Sequence, residues 1–320
     1  MVLHILHFLP KRYLGVVALV CKRWYRLSQD ESLWTRMDIG NRQLPPGAMG
    51  NIMSRQVLIM RLSQAEILHP SILPNCRAFA EDFRCKLLLL DLSMAQVSCP
   101  SLVQIFNKCY RLKKISLEHV TVNAQVMAAL SKSTELEVIN LAMAEGLEDQ
   151  GIKALLGNCR KIRELNLAWT YLNSIGASIV SSNLSISVER LNLSGCRKYL
   201  TDENVYNIVT SCPNLRELDL SDCTGLTGEA VKYTTKLESL CFLALSRCYQ
   251  VQYKSLLHLK KVKTLLYLDM HGGYIGQGEV NEVQDALGPN VQINKFKFSS
   301  IARPTVGVKR SSIWNMKVRD

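Results

Sequence analysis

The 320-residue chain carries eleven cysteines and six histidines, the residue types that bind zinc, form disulfides or act as nucleophiles. Zinc sites and redox sites commonly place two cysteines in a C-x-x-C pair, and the sequence contains no such pair. Six of the cysteines recur instead in two evenly spaced sets, which are Cys109, Cys159 and Cys212, and Cys196, Cys223 and Cys248. Such recurrence favours small buried thiols that pack as hydrophobes, in a reducing compartment.

Other candidate sites for chemistry are weaker. His4 and His7 would share one face of a helix, but no third ligand lies near them in sequence, so we expect no metal site. The glycine-rich segment 271–278 fits neither a dinucleotide fingerprint nor a phosphate-binding loop, and we interpret it as a loop of a terminal repeat. With no paired carboxylates and no unexplained Cys–His–Asn set, we expect no catalytic residues and no cofactor.

The strongest signal in the chain is an L-x-L pair that returns at steps of 24 to 27 residues. The first residue of each pair, called the marker below, is Leu90, Ile115, Ile139, Leu165, Leu191, Leu218, Leu243 and Leu268. Residues two apart on a strand point to the same face, and a unit of this length pairs one strand with one helix. One unit cannot bury its own leucines, so stacked units must share a core. The sequence therefore predicts an α/β leucine-rich-repeat solenoid, with a curved parallel sheet inside and helices outside.

Composition divides the chain into four segments. Residues 1–40 read as a short all-α region, 41–86 as a linker with a degenerate first repeat at 57–62, 87–290 as the repeats, and 291–320 as a basic tail. Of the net charge of +12, the tail carries a large share through Lys295, Lys297, Arg303, Lys309, Arg310, Lys317 and Arg319, against Asp320. No nucleic-acid motif accompanies this charge, and no apolar run approaches the roughly 18 residues of a membrane helix, so we expect neither partner.

The residue four positions beyond each marker should leave the strand at one rim of the concave face. This position holds His119, Met143, Trp169, Gly195, Asp222, Arg247 and Gly272, and Arg197 lies two residues beyond Gly195. Tryptophan and arginine are common anchors of protein interfaces. The alternative is a row of solvated loop residues, with Trp169 partly packed on a neighbour.

Residues 1–36 resemble an F-box. The matching strings are Ile5–Pro10 with Leu14, Val20–Leu27 and Ser32–Trp34. The opening L-P-x-E segment of the motif is missing, so we expect an N-terminally incomplete F-box. The alternative is an apolar cap that closes the end of the solenoid.

Strings in the repeats and the tail extend this resemblance to the F-box and leucine-rich-repeat substrate receptors of Skp–cullin–F-box ubiquitin ligases. They are Leu191–Gly195, Cys212–Leu215, Leu245–Tyr249 and Ile301–Thr305. The resemblance implies a tail that folds back along the repeats. It also implies adaptor-binding residues, which are Ile5, Leu9, Pro10, Leu14, Val20, Cys21 and Trp24. It further implies residues that bind the regulatory subunit of cyclin-dependent kinases and a phosphorylated kinase inhibitor, which are Trp169, Arg197, Asp222, Arg247 and Tyr249.

The resulting hypothesis is a non-catalytic receptor subunit. It would join the ligase adaptor, and through it the cullin and RING subunits, and recruit phosphorylated cell-cycle regulators for ubiquitination and proteasomal degradation. The resemblance implies that it works in the nucleus and cytoplasm. The alternatives are a repeat scaffold that never joins a ligase and a nucleic-acid-associated protein that uses the basic tail.

Overall fold

The computed structural model describes residues 1–295, 299–305 and 312–318. The helices are α1 (Val2–Leu6), α2 (Lys11–Ala18), α3 (Lys22–Ser28), α4 (Ala48–Met53), α5 (Cys99–Phe106), α6 (Ala124–Leu130), α7 (Asp149–Asn158), α8 (Ser174–Asn183), α9 (Asp202–Ser211), α10 (Gly228–Thr234), α11 (Tyr253–Leu256) and α12 (Gln277–Leu287). Short 3-10 helices cover Glu31–Trp34, Arg77–Phe79, Arg197–Tyr199 and Leu257–Lys261.

The strands are β1 (Arg36–Asp38), β2 (Gln43–Leu44), β3 (Ile59–Arg61), β4 (Glu66–Ile67), β5 (Leu89–Asp91), β6 (Gln96–Val97), β7 (Lys114–Ser116), β8 (Val138–Asn140), β9 (Glu164–Asn166), β10 (Arg190–Asn192), β11 (Glu217–Asp219), β12 (Phe242–Ala244), β13 (Tyr267–Asp269), β14 (Gln292–Ile293), β15 (Ser312–Ile313) and β16 (Met316–Lys317). Strands β2, β4 and β6 form a small parallel sheet, and β15 and β16 form an antiparallel pair.

One long parallel sheet runs through the repeats in the order β1-β3-β5-β7-β8-β9-β10-β11-β12-β13-β14. Each marker pairs with the marker of the next repeat, as Leu165 does with Leu191 and Leu191 with Leu218. The predicted α/β solenoid is therefore confirmed. The sheet also extends beyond the predicted repeat segment 87–290, because it begins at Arg36 and includes Gln292–Ile293.

The core lies between this sheet and the outer helices. Every marker is buried, and so are the inner faces of the helices, including Ile152 and Leu155 on α7. The six recurring cysteines are buried in the same layer. Four of their thiols, those of Cys159, Cys212, Cys223 and Cys248, reach the backbone of the preceding repeat, as Cys223 Sγ does with Leu193 O at 3.4 Å and Cys248 Sγ with Leu220 O at 3.2 Å. The interpretation of these cysteines as packing residues is confirmed.

An Asp or Asn ends most strands of the long sheet, one position after the marker. Its side-chain oxygen accepts a hydrogen bond from the backbone N–H two residues later. The distance is 2.9 Å from Ser194 N to Asn192 Oδ1 and 3.0 Å from Ser221 N to Asp219 Oδ1. Short polar side chains mimic a backbone turn in this way, so the strand stops there and the chain bends away.

A residue with left-handed backbone follows each of these turns, four positions after the marker. We call this row the strand-end rim; it comprises Met94, His119, Met143, Trp169, Gly195, Asp222, Arg247 and Gly272, and the φ angles lie between 55° and 81°. Each rim N–H from Met94 to Arg247 donates to a carbonyl of the next repeat, as Trp169 N does to Ser194 O at 2.8 Å and Asp222 N to Ser246 O at 2.7 Å. The turn thus joins neighbouring repeats and turns the rim side chains outward.

The described tail residues cross the concave face back toward the first repeats. Asn166 Nδ2 donates to Ile301 O at 3.1 Å, and Ala302 N donates to Glu164 Oε2 at 3.0 Å. Farther along, Ile313 and Val318 are buried against strands β3 and β5. Of the predicted basic tail, Lys297, Lys309, Arg310, Arg319 and Asp320 lie outside the described residues.

Helices α1 to α3 precede the first strand of the long sheet and pack at that end of the repeats. The indole of Trp34 fastens them to the repeats, since its Nε1 donates to Ser28 O at 2.8 Å and Arg55 lies 3.8 Å over its ring. Within the described ranges, no helix combines the length and the apolar character needed to cross a bilayer.

The buried carboxyl of Asp219 gives a pH-dependent prediction. Burial raises the pKa of Asp219, so its ionised form costs folding free energy at neutral pH. Asn192 shows that an amide makes the same turn. We expect Asp219→Asn to raise the urea midpoint at pH 7. This gain should shrink as the pH falls through the raised pKa toward the unfolded value of about 3.9, where the wild-type carboxyl is also neutral.

The control is the reverse substitution Asn192→Asp, which should lower the urea midpoint at pH 7 and recover part of it in acid. Two results would contradict the assignment of a buried ionised carboxyl. One is a urea midpoint of Asp219→Asn equal to that of the wild type at pH 7, and the other is a difference between the two midpoints that does not vary with pH.

Gly195 gives a second prediction. Its φ is +81°, and an added Cβ would lie 2.5 Å from Trp169 Cδ2, so alanine meets both backbone strain and a clash. We expect Gly195→Ala to lower the free energy of unfolding by about 2 kcal/mol in urea denaturation. The control is Gly157→Ala at the exposed end of α7, where an added Cβ meets nothing within 4 Å. The control should gain about 0.5 kcal/mol from its helix propensity. Equal effects of the two changes would show that Trp169 does not rest on Gly195.

Candidate functional site

Trp169 occupies the centre of the strand-end rim. Its indole lies flat over Gly195 of the next repeat, in the space that any side chain there would fill. Arg197 follows the same turn, and its guanidinium lies 5.9 Å from the centre of the Trp169 ring. A cation near an aromatic face is attracted by about 0.5–1 kcal/mol at an exposed site. The half-buried indole and the exposed guanidinium therefore form one continuous patch.

Asp222 and Arg247 form a bidentate ion pair two repeats farther along. Arg247 Nε donates to Asp222 Oδ1 at 2.6 Å, and Nη2 donates to the other carboxylate oxygen. The stem of Arg247 crosses Gly272 of the next repeat as Trp169 crosses Gly195. Hydrogen bonding to Asp222 raises the pKa of Arg247, so its guanidinium stays charged. Tyr249 lies beyond it, with its ring 5.3 Å from that of Tyr274.

An open groove of about 220 Å³ joins these groups to the concave face. Trp169, Asp222 and Arg247 line it together with Asp219, His271 and Arg303 of the tail. Arg303 is held there by an ion pair with Glu118 at 3.5 Å. The groove thus offers a flat ring, paired charges and several hydroxyl groups, which suits recognition of a protein surface.

Three of the buried cysteines do not suit catalysis. Burial raises the pKa of Cys159, of Cys212 and of Cys248 to about 12, so these thiols stay protonated at neutral pH. Across residues 1–295, 299–305 and 312–318, no three His, Cys, Asp or Glu side chains converge on a point where they could hold a metal ion.

A second candidate surface lies on helices α1 to α3, where large apolar side chains face solvent. They include Ile5, Phe8, Val16, Leu19, Val20 and Tyr25, and the exposed fraction reaches 86% at Leu19 and 61% at Val20. Contiguous exposed apolar side chains commonly mark an interaction site. Pro10 and Cys21 are also exposed, while Leu9 and Trp24 are half-buried.

The predicted residues lie in two groups, one on α1 to α3 and the turns between them and one along the strand-end side of the repeats. Leu14 is only 1% exposed and packs in the core, so its side chain supports α2 and cannot contact an adaptor directly. Trp169, Arg197, Asp222, Arg247 and Tyr249 do lie along one rim, although Arg197 and Tyr249 do not line the groove itself.

Sequence reasoning missed several surface residues. Phe8, Val16 and Leu19 are more exposed than most of the predicted adaptor-binding residues. The pattern that could have identified them is their position on the helical face opposite the buried Leu6, Leu14 and Val17. Arg303 was counted only as tail charge, and no short-range pattern could have placed it in the groove.

Comparison with protein-family models gives two matches. Residues 1–40 match the F-box-like family, and residues 47–320 match the family described as SKP2 LRR domain. Among solved structures, the crystal structure of the yeast Rad7 and Elc1 complex contains a chain that is 12% identical, with a TM-score of 0.45, over 91% of this chain and 90% of that one.

The curated relatives are longer proteins that contain a region similar to this chain. Lysine-specific demethylase 2A of Xenopus tropicalis is 27% identical over 84% of this chain and 20% of its own length. Lysine-specific demethylase 2B of Mus musculus is 23% identical over 76% of this chain and 18% of its own length. F-box/LRR-repeat protein 4 of Bos taurus is 30% identical over 43% of this chain and 24% of its own length. The chain thus spans about a quarter or less of these relatives. Because one family model covers residues 47–320 and another covers residues 1–40, the chain belongs to the family of F-box proteins with leucine-rich repeats.

Proposed function

We propose that this chain is the non-catalytic substrate-recognition subunit of a Skp–cullin–F-box ubiquitin ligase. The observation that carries the proposal is the exposed apolar face of α1 to α3, attached through Trp34 to a repeat array with a separate recognition rim. One end would bind the Skp-type adaptor, and through it the cullin and RING subunits. The other end would hold the substrate. Holding a substrate lysine near the ubiquitin thioester raises the effective concentration of the two reactants, so the receptor itself needs no catalytic group.

The adaptor would cover the face formed by Ile5, Phe8, Leu19 and Val20. These side chains are exposed although Leu6, Leu14 and Val17 of the same helices are buried, so the apolar face has no partner within the described residues. Burying apolar area is worth about 25 cal/mol for each Å². An apolar cap of the solenoid would instead turn these residues inward, whereas they face solvent.

The strand-end rim would hold a cyclin-dependent kinase regulatory subunit and a phosphorylated kinase inhibitor. Trp169 supplies a broad apolar contact, and Asp222 with Arg247 supplies a charge of each sign in a fixed orientation. Arg247 is already bidentate to Asp222, so a phosphate would have to displace that carboxylate. We therefore assign phosphate selectivity mainly to the accessory subunit, and charge complementarity to the rim pair.

The strings Leu245–Tyr249 and Ile301–Thr305 resemble those of S-phase kinase-associated protein 2, and this resemblance supports the choice of cell-cycle regulators as substrates. On the same ground we place the protein in the nucleus and cytoplasm.

The adaptor assignment predicts the effect of charge on the apolar face. We expect the double change Leu19→Glu and Val20→Glu to weaken binding of purified Skp-type adaptor by at least about tenfold, because carboxylates would be buried in an apolar interface. The matched control is Ile175→Glu on α8, where the side chain is 61% exposed at a distance from this face. Titration calorimetry gives both affinities. Equal affinity of the wild type and the double variant would contradict the adaptor assignment and favour the alternative of a repeat scaffold outside any ligase.

The rim assignment predicts a distinct pattern for the ion pair. Asp222→Arg alone and Arg247→Asp alone should each weaken binding of the accessory subunit, by about 2 kcal/mol, and leave adaptor binding intact. The swap that combines both changes restores the local pair with reversed orientation. If the pair contacts the partner, the swap should remain weak; if the pair only stabilises the rim, the swap should recover wild-type affinity.

A further inference from the structure

The edge opposite the strand-end rim carries an excess of basic side chains. We call it the strand-start edge; it comprises the segments between each helix end and the next strand, which are 107–113, 131–137, 159–163, 184–189, 212–216, 235–241 and 262–266. These segments hold ten Lys or Arg and four Glu. The eight segments that run from the ends of β5, β7, β8, β9, β10, β11, β12 and β13 to the following helices hold three Lys or Arg and four Asp or Glu in total. The positive charge of the repeats is therefore concentrated on one edge.

Helix ends explain part of this charge. Basic side chains suit the negative end of a helix, and Arg160 Nη1 donates to Leu156 O at 3.2 Å and to Asn183 O at 2.8 Å. Lys113, Lys161 and Arg163 pair with glutamates of neighbouring repeats. Arg111, Arg216 and Lys263 are exposed and make no ion pair or side-chain hydrogen bond with other described residues. Their charge is therefore not used by the fold.

A broad open groove of about 640 Å³ lies on this edge. Arg160, Lys161, Arg163 and Arg216 line it, and Ile186 projects into it with 64% of its surface exposed. Leu266, which is 58% exposed, lies two repeats beyond Arg216 on the same edge. The basic edge thus also carries two exposed apolar side chains.

We propose that the strand-start edge binds an acidic protein segment that carries apolar residues between its carboxylates. The interleaved Ile186 and Leu266 favour a protein over a nucleic acid, because phosphates offer them no apolar contact. The surface goes beyond the ligase function proposed above, since it is separate from both the adaptor face and the strand-end rim.

The spacing of the strands sets the sequence of the segment. Arg163 and Arg216 lie two strands apart, which is about 10 Å at the usual spacing of about 4.8 Å. A chain in the extended polyproline II conformation rises about 3.1 Å per residue with three residues per turn, so about three residues cover that distance and every third side chain faces the same way. The segment should therefore carry an acidic residue at every third position, with an apolar residue between them to reach Ile186.

The test uses the full chain and a fluorescein-labelled peptide of about 12 extended residues, with Glu at every third position and Leu between them. Fluorescence anisotropy at low and physiological salt gives the dissociation constant. We expect Arg160→Glu with Arg216→Glu to weaken peptide binding by about tenfold. The matched control is Lys153→Glu with Lys254→Glu on outer helices α7 and α11, which changes the net charge equally at exposed sites and should change binding less than about twofold. Replacing Leu by Ser in the peptide should also weaken binding.

Three results would overturn the proposal. They are no measurable binding of the peptide, equal loss in the two double variants, and tighter binding of a duplex DNA with the same dependence on Arg160 and Arg216. The second result would mean attraction to net charge alone, and the third would make the edge a nucleic-acid surface. Adaptor titration with the same variants keeps the ligase proposal separate, because these changes lie far from α1 to α3 in sequence and repeat order.

Discussion

The hydrogen bond from each left-handed rim residue to the next repeat sets the geometry of the array. It joins consecutive turns at a fixed distance, as between Trp169 N and Ser194 O. The preceding Asp or Asn stops the strand at the same place in each repeat. Because the turn is left-handed, the rim side chain swings outward over its neighbour. Glycine at 195 and 272 then leaves room for the indole of Trp169 and the stem of Arg247.

This geometry separates the surfaces of the molecule. The apolar face of α1 to α3 lies at one end, the aromatic and ion-paired groups lie on the strand-end rim, and the basic groups lie on the strand-start edge. The tail covers much of the concave face between the two edges through Ile301, Ala302 and Ile313. Each surface therefore has its own chemistry, and a change in one need not disturb the others.

The period of the sequence was sufficient to predict the sheet, the register and the buried cysteines, because each depends on neighbouring repeats. The pairing of Asp222 with Arg247 could have been predicted in the same way, since both occupy one position of adjacent repeats. The first strands were harder to predict, because Met37 and Met60 stand at the marker position instead of leucine. The steps from Met37 to Met60 and from Met60 to Leu90 are 23 and 30 residues, outside the regular period. The burial of Leu14 and the position of Arg303 depend on packing between distant segments, which local patterns do not encode.

The tail also changes how the array can fold. Stacked repeats usually contact only their neighbours, so order can spread along them from any starting unit. Contacts such as Asn166 to Ile301 and Arg303 to Glu118 instead link segments far apart in sequence. During synthesis, residues 299–305 and 312–318 leave the ribosome after the strands of the long sheet that they cover. In a nascent chain the concave face therefore forms before the tail covers it. Chaperones have access to this face until the tail docks.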